Sequence, residues 1–236
     1  DGTANIFANT SELLIANTPP QFQVNPIINS TNALNTTEQN LNVFFTPNET
    51  DVNDRLNYSV QVFTNNRTNF TLYNIGTTNG TLTSFVINNG NTSNGETWKA
   101  QVWINDGTDN STLINTTELL ILNNASAITQ PAFNQTNYNI YHIISASLVV
   151  TDIDLDLSNV TFEWFKNNAI IRRTTTNNLN NGTNTSDILT PSNFGQNDNI
   201  IVQVFAFDGT INSTLINSTT ITIQGINNAS IFTQGY

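Results

Sequence analysis

The chain contains no cysteine and no methionine. The first absence excludes a disulfide framework and thiolate or zinc-thiolate chemistry, and it says nothing about the redox compartment. The second extends to position 1, where Asp1 stands, and no apolar run approaches the roughly 18 residues of a membrane span or has the outline of a signal peptide. The chain therefore reads as a processed or excised piece with no membrane span. Histidine occurs once, at His142, so no His-x-x-x-His pair can hold a metal, and neither a Gly-x-Ser-x-Gly turn nor a Gly-rich phosphate loop is present. An enzyme is not expected, although paired carboxylates of glycosidase type are defined by separation in space and not by sequence. Charge is the largest deficit: 10% of residues are Asp, Glu, Lys or Arg, against roughly 25% in an average soluble protein. Six Lys and Arg, scattered along a chain of net charge -11, cannot neutralise a phosphate backbone, so nucleic acid is not an expected partner.

In place of charge the chain carries 44 Asn and 37 Thr among 236 residues, so its hydrophilic surface is mostly neutral amide and hydroxyl. Hydrophobic residues at 37% and aromatics at 9% suffice for a packed interior, in one large or two ordinary domains. Apolar residues alternate over short runs: Leu41, Val43, Phe45; Leu56, Tyr58, Val60, Val62; Val160, Phe162, Trp164; Ile200, Val202, Val204, Ala206. Such alternation predicts half-buried strands. Clusters such as Asn88-Asn89-Gly90 and Asn180-Asn181-Gly182 separate the runs and favour turns. No stretch holds a helical period, and short strands with frequent turns argue for an all-β sandwich. His142, between Tyr141 and Ile143, reads as a strand residue.

Internal repeats set the organisation. Asp-Gly-Thr occurs at Asp1, Asp106 and Asp208. Residues 106 to 126, DGTDNSTLINTTELLILNNAS, return at 208 to 230 as DGTINSTLINSTTITIQGINNAS, and the N-terminus offers a third copy, DGTANIFANTSELLIANTPP. Residues 97 to 105 and 199 to 207 are predicted as the penultimate strand of each unit, and 113 to 122 and 215 to 224 as the last. Alignment sets Leu13 and Ile15 over Leu119 and Ile121 and over Ile221 and Ile223, a single inward-facing pattern. The chain is thereby divided into an orphan last strand (1 to 19), donated to or shared with a neighbouring domain, then a complete domain (20 to 125), a second complete domain (126 to 228), and the start of a further unit or a C-terminal tail (229 to 236).

DIDLDLSNVTFEWFKNN (152 to 168) followed by NIIVQVFAFDGT (199 to 210) resembles the immunoglobulin-like, cadherin-like and PKD-like repeats of archaeal and bacterial surface proteins. Those repeats carry an acidic turn, a strand with Trp and a Lys-Asn pair, and a Val-rich strand ending in Asp-Gly-Thr. The first domain fits more loosely, because DVNDRLNYSVQVFTNN (51 to 66) lacks the Trp. The resemblance implies two tandem immunoglobulin-like β-sandwich domains preceded by an extra N-terminal strand. It further implies adhesion, surface-layer or filament work, sometimes with bound calcium.

Asn-x-Ser/Thr, with x other than Pro, occurs nineteen times, where random succession would give roughly ten. It accepts N-linked glycans only in a secreted protein. The acceptors are Asn9, Asn29, Asn35, Asn48, Asn57, Asn66, Asn69, Asn79, Asn91, Asn110, Asn115, Asn124, Asn134, Asn159, Asn181, Asn184, Asn212, Asn217 and Asn228. Their placement repeats: Asn9, Asn115 and Asn217 are equivalent, as are Asn110 with Asn212 and Asn124 with Asn228. Glycans would keep a charge-poor surface soluble; the competing explanation is Asn and Thr richness followed by duplication.

Asp152, Asp154 and Asp156, with Asp208, offer oxygen ligands suited to calcium. The competing reading is an exposed turn in which Ile153 and Leu155 pack, and the first repeat offers only Asp51 and Asp54. The Asp of Asp-Gly-Thr has another use, capping its own turn while Gly takes positive φ. Trp103 and Phe205 occupy equivalent positions on the outer face of the penultimate strand and, with Leu13 and Ile15, are candidates for contact with another copy. The function expected is a structural subunit of an extracellular, N-glycosylated filament or cell-surface layer, joined by strand complementation or as a continuous repeat chain. Its partners are copies of itself or flanking repeats. The alternative is an adhesin or carbohydrate-binding module whose specificity sits in Asn-rich loops at 88 to 97 and 176 to 198.

Overall fold

The computed structural model describes residues 15 to 226. Apart from two short loop segments, they divide into two compact units whose border falls between Ile121 and Leu122. The first contains β1 (Gln21–Ser30), β2 (Leu41–Asn48), β3 (Asn57–Thr64), β4 (Arg67–Gly76), β5 (Thr83–Ile87), β6 (Thr97–Asn105), β7 (Ile114–Asn115) and β8 (Leu119–Leu120). One sheet runs β1-β2-β5; the other runs β4-β3-β6, with β7 and β8 both paired to the far edge of β6. The alternation read from the sequence turns Leu41, Val43 and Phe45 of β2 toward Tyr58, Val60 and Val62 of β3 and toward Trp98, Ala100 and Val102 of β6. Burying each large side chain contributes about 1.5–3 kcal/mol, which is how the domain holds together without a disulfide.

The second unit contains β9 (Ala127–Ile128), β10 (Ala132–Phe133), β11 (Tyr138–Asn139), β12 (Ile144–Thr151), β13 (Ser158–Lys166), β14 (Ala169–Leu179), β15 (Thr183–Leu189), β16 (Asn199–Phe207), β17 (Ile216–Asn217) and β18 (Ile221–Gln224). One sheet runs β10-β12-β15, with β9 also on β12; the other runs β11-β18-β16-β13-β14, with β17 on β16. The central pairs share a register: Val60 faces Val102 and Val62 faces Ala100 in the first domain, as Phe162 faces Val204 and Trp164 faces Val202 in the second. The chain is thus all-β, two tandem sandwiches of immunoglobulin-like type. Among the described residues the only helical pieces are two short 3-10 turns, Asn89–Asn91 and Pro191–Asn193, and no helix is long and apolar enough to cross a membrane.

Three expectations need correction. The last strand of each domain is broken in two, because a hydroxyl takes the place of a main-chain acceptor. The N–H of Ala100 donates to Thr116 Oγ1 at 3.0 Å while the Thr116 N–H donates to the Ala100 carbonyl at 2.8 Å. Val202 and Ser218 make the same exchange at 3.0 and 2.8 Å. Ser111 and Ser213 do likewise for the N–H groups of Ile104 and Ala206, at 2.9 and 2.8 Å. Each exchange disrupts the ladder locally, as a bulge does. Second, residues 176 to 189 are not a loop: they complete β14 and form β15, and the turn at Asn180-Asn181-Gly182, with Gly182 at φ +79, carries the chain between the two sheets. Third, His142 lies in the turn between β11 and β12 and is exposed.

Candidate functional site

In the second domain the acidic triplet forms the connection from β12 to β13. Asp152 is buried, and its Oδ1 accepts the N–H groups of Asp154 at 2.9 Å and Asp156 at 3.3 Å, while Oδ2 accepts the Ser126 hydroxyl at 2.9 Å. Asp154 Oδ2 accepts the Asn124 N–H at 2.6 Å. Carboxylate oxygens of Asp152, Asp154 and Asp156 lie within 4.8 Å of one another. Asp208 stands outside that set because its carboxylate is turned into its own loop: Oδ1 accepts the N–H groups of Thr210 at 2.7 Å and Ile211 at 2.8 Å, and Oδ2 accepts Asn123 Nδ2 at 2.9 Å. Its charge still reaches the triplet. Desolvation, then the charges of Asp152, Asp154 and Asp208, raise the Asp156 carboxyl above the ordinary aspartate value. For Asp208 itself desolvation acts upward, but the hydrogen bonds from Ile211, Thr210 and Asn123 prevail and hold it below that value. Ile153 and Leu155 do not pack, being 54% and 69% exposed, and Leu155 sits at φ +65.

The same end of the first domain repeats part of this wiring. Glu49, immediately after β2, accepts at Oε1 the N–H groups of Thr50 at 2.6 Å and Asp51 at 2.9 Å. Asp51 Oδ2 accepts the Thr18 N–H at 2.8 Å, as Asp154 accepts that of Asn124. Asp106 Oδ1 accepts the N–H groups of Thr108 and Asp109, both at 2.7 Å, and Oδ2 accepts Asn17 Nδ2 at 3.0 Å, as Asp208 accepts Asn123. The recurring Asp therefore caps its turn in both copies, with Gly107 at φ +101 and Gly209 at φ +98. Oxygens of Glu49, Asp54 and Asp106 lie within 4.8 Å of one another. Desolvation, then the charges of Asp106, Asp51 and Glu49, raise the Asp54 carboxyl. Asp106 is lowered, because hydrogen bonds from Asp109, Asn17 and Thr108 outweigh its desolvation.

Sequence reasoning found Asp51 and Asp54 and missed Glu49 and Asp106 as members of one cluster. A signal was available: Glu49 stands two residues before Asp51, as Asp152 stands before Asp154, and Asp106 heads the repeated tripeptide. The two clusters differ at the buried acid. Asp152 has both oxygens bonded, whereas Glu49, 8% exposed, leaves Oε2 with no hydrogen-bond partner.

Of the nineteen sequon asparagines, Asn9 and Asn228 lie outside the described residues, thirteen of the others are exposed, and Asn35, Asn57, Asn124 and Asn159 are half-buried. Asn115 on β7 faces Gln101 and Asn217 on β17 faces Gln203; Asn110 and Asn212 form equivalent isolated bridges to Asn105 and Phe207. In these four sequons the middle residue, Ser111, Thr116, Ser213 or Ser218, supplies the ladder hydroxyl described above and is buried or half-buried. The Asn before it and the Thr after it are exposed in all four. Asn79 is tied at both ends of its amide, Nδ2 donating to the Glu49 carbonyl at 2.7 Å and Oδ1 accepting the Glu49 N–H at 2.9 Å.

Trp103 is half-buried and meets Tyr73 of β4 edge-on, with ring centroids 6.0 Å apart; Phe205 is half-buried opposite Thr161. Ile15 is 83% exposed, residues 15 to 20 form no strand, and Leu13 lies outside the described residues. The His142 Nδ1 accepts the Asn139 N–H at 3.3 Å and stands 2.9 Å from Gln135 Nε2.

No family model matches the sequence, and no curated protein does. Among solved structures the chain is similar to a two-domain fibronectin type III segment of chicken tenascin, at 13% identity over 84% of this chain and 99% of that one, with a TM-score of 0.45. It is similar to the chicken interferon gamma receptor alpha chain at 10% identity over 86% and 98%, with a TM-score of 0.44. Fibronectin(III)-like modules of Clostridium thermocellum CbhA follow at 12% identity over 84% and 95%, with a TM-score of 0.32. The likeness is to tandem β-sandwich domains and extends no further than fold.

Proposed function

We propose that the chain is a structural segment of an extracellular, N-glycosylated filament or cell-surface layer, built on repeats of the immunoglobulin-like, cadherin-like or PKD-like kind. The paired sequons on the last strand of each domain carry this reading. Packing explains a hydroxyl at Ser111, Thr116, Ser213 and Ser218, which the ladder uses. It does not explain an exposed Thr after each, nor the exposed Asn115 and Asn212; at Asn110 and Asn217 the amide oxygen accepts Asn105 Nδ2 at 3.1 Å and Gln203 Nε2 at 3.0 Å. Some exposed positions nearby have diverged between the copies, Asp109 against Ile211 and Glu118 against Thr220, while the acceptor and its hydroxyl are the same in both, as are Thr108 with Thr210 and Leu113 with Leu215.

Glycans at these places would hydrate a charge-poor surface and shield sheet edges that would otherwise pair with other chains. Copies of the chain, or flanking repeats, are the partners in this reading, joined through terminal strands or as one continuous chain. Glycopeptide mass spectrometry of protein from its native source tests it: sugar is expected on Asn110, Asn115, Asn212 and Asn217, and bare asparagine at all four would overturn the proposal.

A further inference from the structure

We propose that the first domain holds a divalent cation of calcium type between Glu49, Asp54 and Asp106. The site does not depend on the filament reading. Clustered acids alone would not carry it, since exposed carboxylates commonly gather without a metal. What carries it is Glu49 Oε2, an oxygen of a side chain more than nine-tenths buried with no hydrogen-bond partner, in a group whose other oxygen is already held by the N–H groups of Thr50 and Asp51. Buried carboxylate oxygens are expected to be paired or bound to metal, because removing a charge from water without compensation is costly. Among the described residues no donor supplies that compensation to Oε2; the carboxylates of Asp54 and Asp106 lie beside it, with Asp51 near enough to act on Asp54.

Size and ligand type choose the ion. Every ligand on offer is a hard oxygen, which suits calcium or magnesium. The three oxygens lie within 4.8 Å of one another, inside the about 5 Å that separates ligands on opposite sides of a calcium ion with bonds of about 2.3–2.6 Å. Magnesium demands a near-ideal octahedron and gives up its water reluctantly, which carboxylates from separate loops suit less well than the flexible coordination of calcium. The segment that leads into β1 is already fastened here by three hydrogen bonds, Asn17 to Asp106 and Asp109 and Thr18 to Asp51. A cation at this place would therefore fix the start of the domain as well as its acidic loops. The triplet of the second domain is not included, because its buried Asp152 is satisfied by Ser126, Asp154 and Asp156.

Isothermal titration calorimetry with calcium chloride on the intact, chelator-treated chain, paired with thermal unfolding, tests the proposal. Saturable binding is expected at or below about 1 mM calcium, the range of extracellular modules, with a calcium-dependent rise in the unfolding temperature. Glu49→Gln keeps the acceptor for Thr50 and Asp51 and removes the buried charge. It is expected to weaken binding at least tenfold while unfolding in chelator no earlier than the parent. Asp54→Asn, at an exposed position, is expected to weaken binding without a folding defect, and Asp154→Asn to leave binding unchanged. Absence of calcium-dependent heat and unfolding shift, binding that survives both first-domain variants, loss confined to Asp154→Asn, or an equal response to magnesium would each overturn the proposal.

Discussion

The two domains fill one frame with different side chains. In the first, the core tryptophan is Trp98 on β6, and Val62 on β3 faces Ala100; in the second, the tryptophan is Trp164 on β13, facing Val202, and Ile200 occupies the place of Trp98. One indole has moved to the neighbouring strand, and small aliphatic side chains fill what it vacated. Each indole N–H also finds its own acceptor, Glu96 at 3.0 Å or Asp187 at 2.7 Å. Volume and alternation therefore set the sandwich, while the identity of the large residue is exchangeable. The acidic ends show the reverse. There the bonds of Asp51 and Asp106 match those of Asp154 and Asp208, but the buried acid differs: Asp152 has both oxygens bonded, whereas the longer Glu49 takes other main-chain donors and leaves one buried oxygen without a partner. Exchange in the frame leaves the core packed; exchange in the acidic loop leaves an unpaired oxygen.

The largest effects should come from the exchanged indoles. Trp98→Ala and Trp164→Ala are each expected to cost about 3–5 kcal/mol. Calorimetric unfolding should show the loss in the mutated domain's transition, and Trp164→Ala should be the more severe because the buried Asp187, ion-paired with Arg172 at 3.0 Å, loses its indole donor. Adding Val62→Trp to Trp98→Ile should recover part of the loss; no recovery would break the exchange account. Next come the ladder hydroxyls. Thr116→Val strands the buried Ala100 N–H and should cost about 1–3 kcal/mol, and Ser218→Ala should cost the same in the other domain, read by chemical denaturation. Smaller still is the left-handed Leu155, which has no counterpart at positive φ in the first domain. Leu155→Gly should stabilise the second domain alone by up to about 1 kcal/mol.

The smallest effect is a dependence on pH in chelator. Asp54 and Asp156 are raised in the folded state, so it binds their protons more readily than the unfolded chain, and stability recovers as pH falls from neutral through their raised values. Asp106 and Asp208 are lowered, so their contribution is present above the ordinary aspartate value of 3.8 and is lost as pH falls through their lowered values. The unfolding temperature should therefore rise on mild acidification and drop below about pH 3.8. Asp54→Asn should remove the first-domain part of the rise.

The sandwich was legible because its central strands alternate, and the limits 97 to 105 and 199 to 207 match β6 and β16. β14 escaped because it is an edge strand with most residues exposed or half-exposed, so Thr174 to Asn178 show no apolar period and the Asn cluster after them reads as loop. The broken last strands escaped because a side-chain hydroxyl standing in for a carbonyl leaves no trace in hydropathy. Much of the acidic wiring was hidden for a different reason: Glu49 and Asp106 come from separate loops, and only the closure of the sheets brings them to Asp54.

Electron microscopy of the native material, at a resolution that shows side-chain sugar, tests the account most directly. The expected result is a filament or layer in which density projects from Asn115 and Asn217 and each copy meets another copy or repeat through its ends. Separate particles with bare asparagines would contradict it.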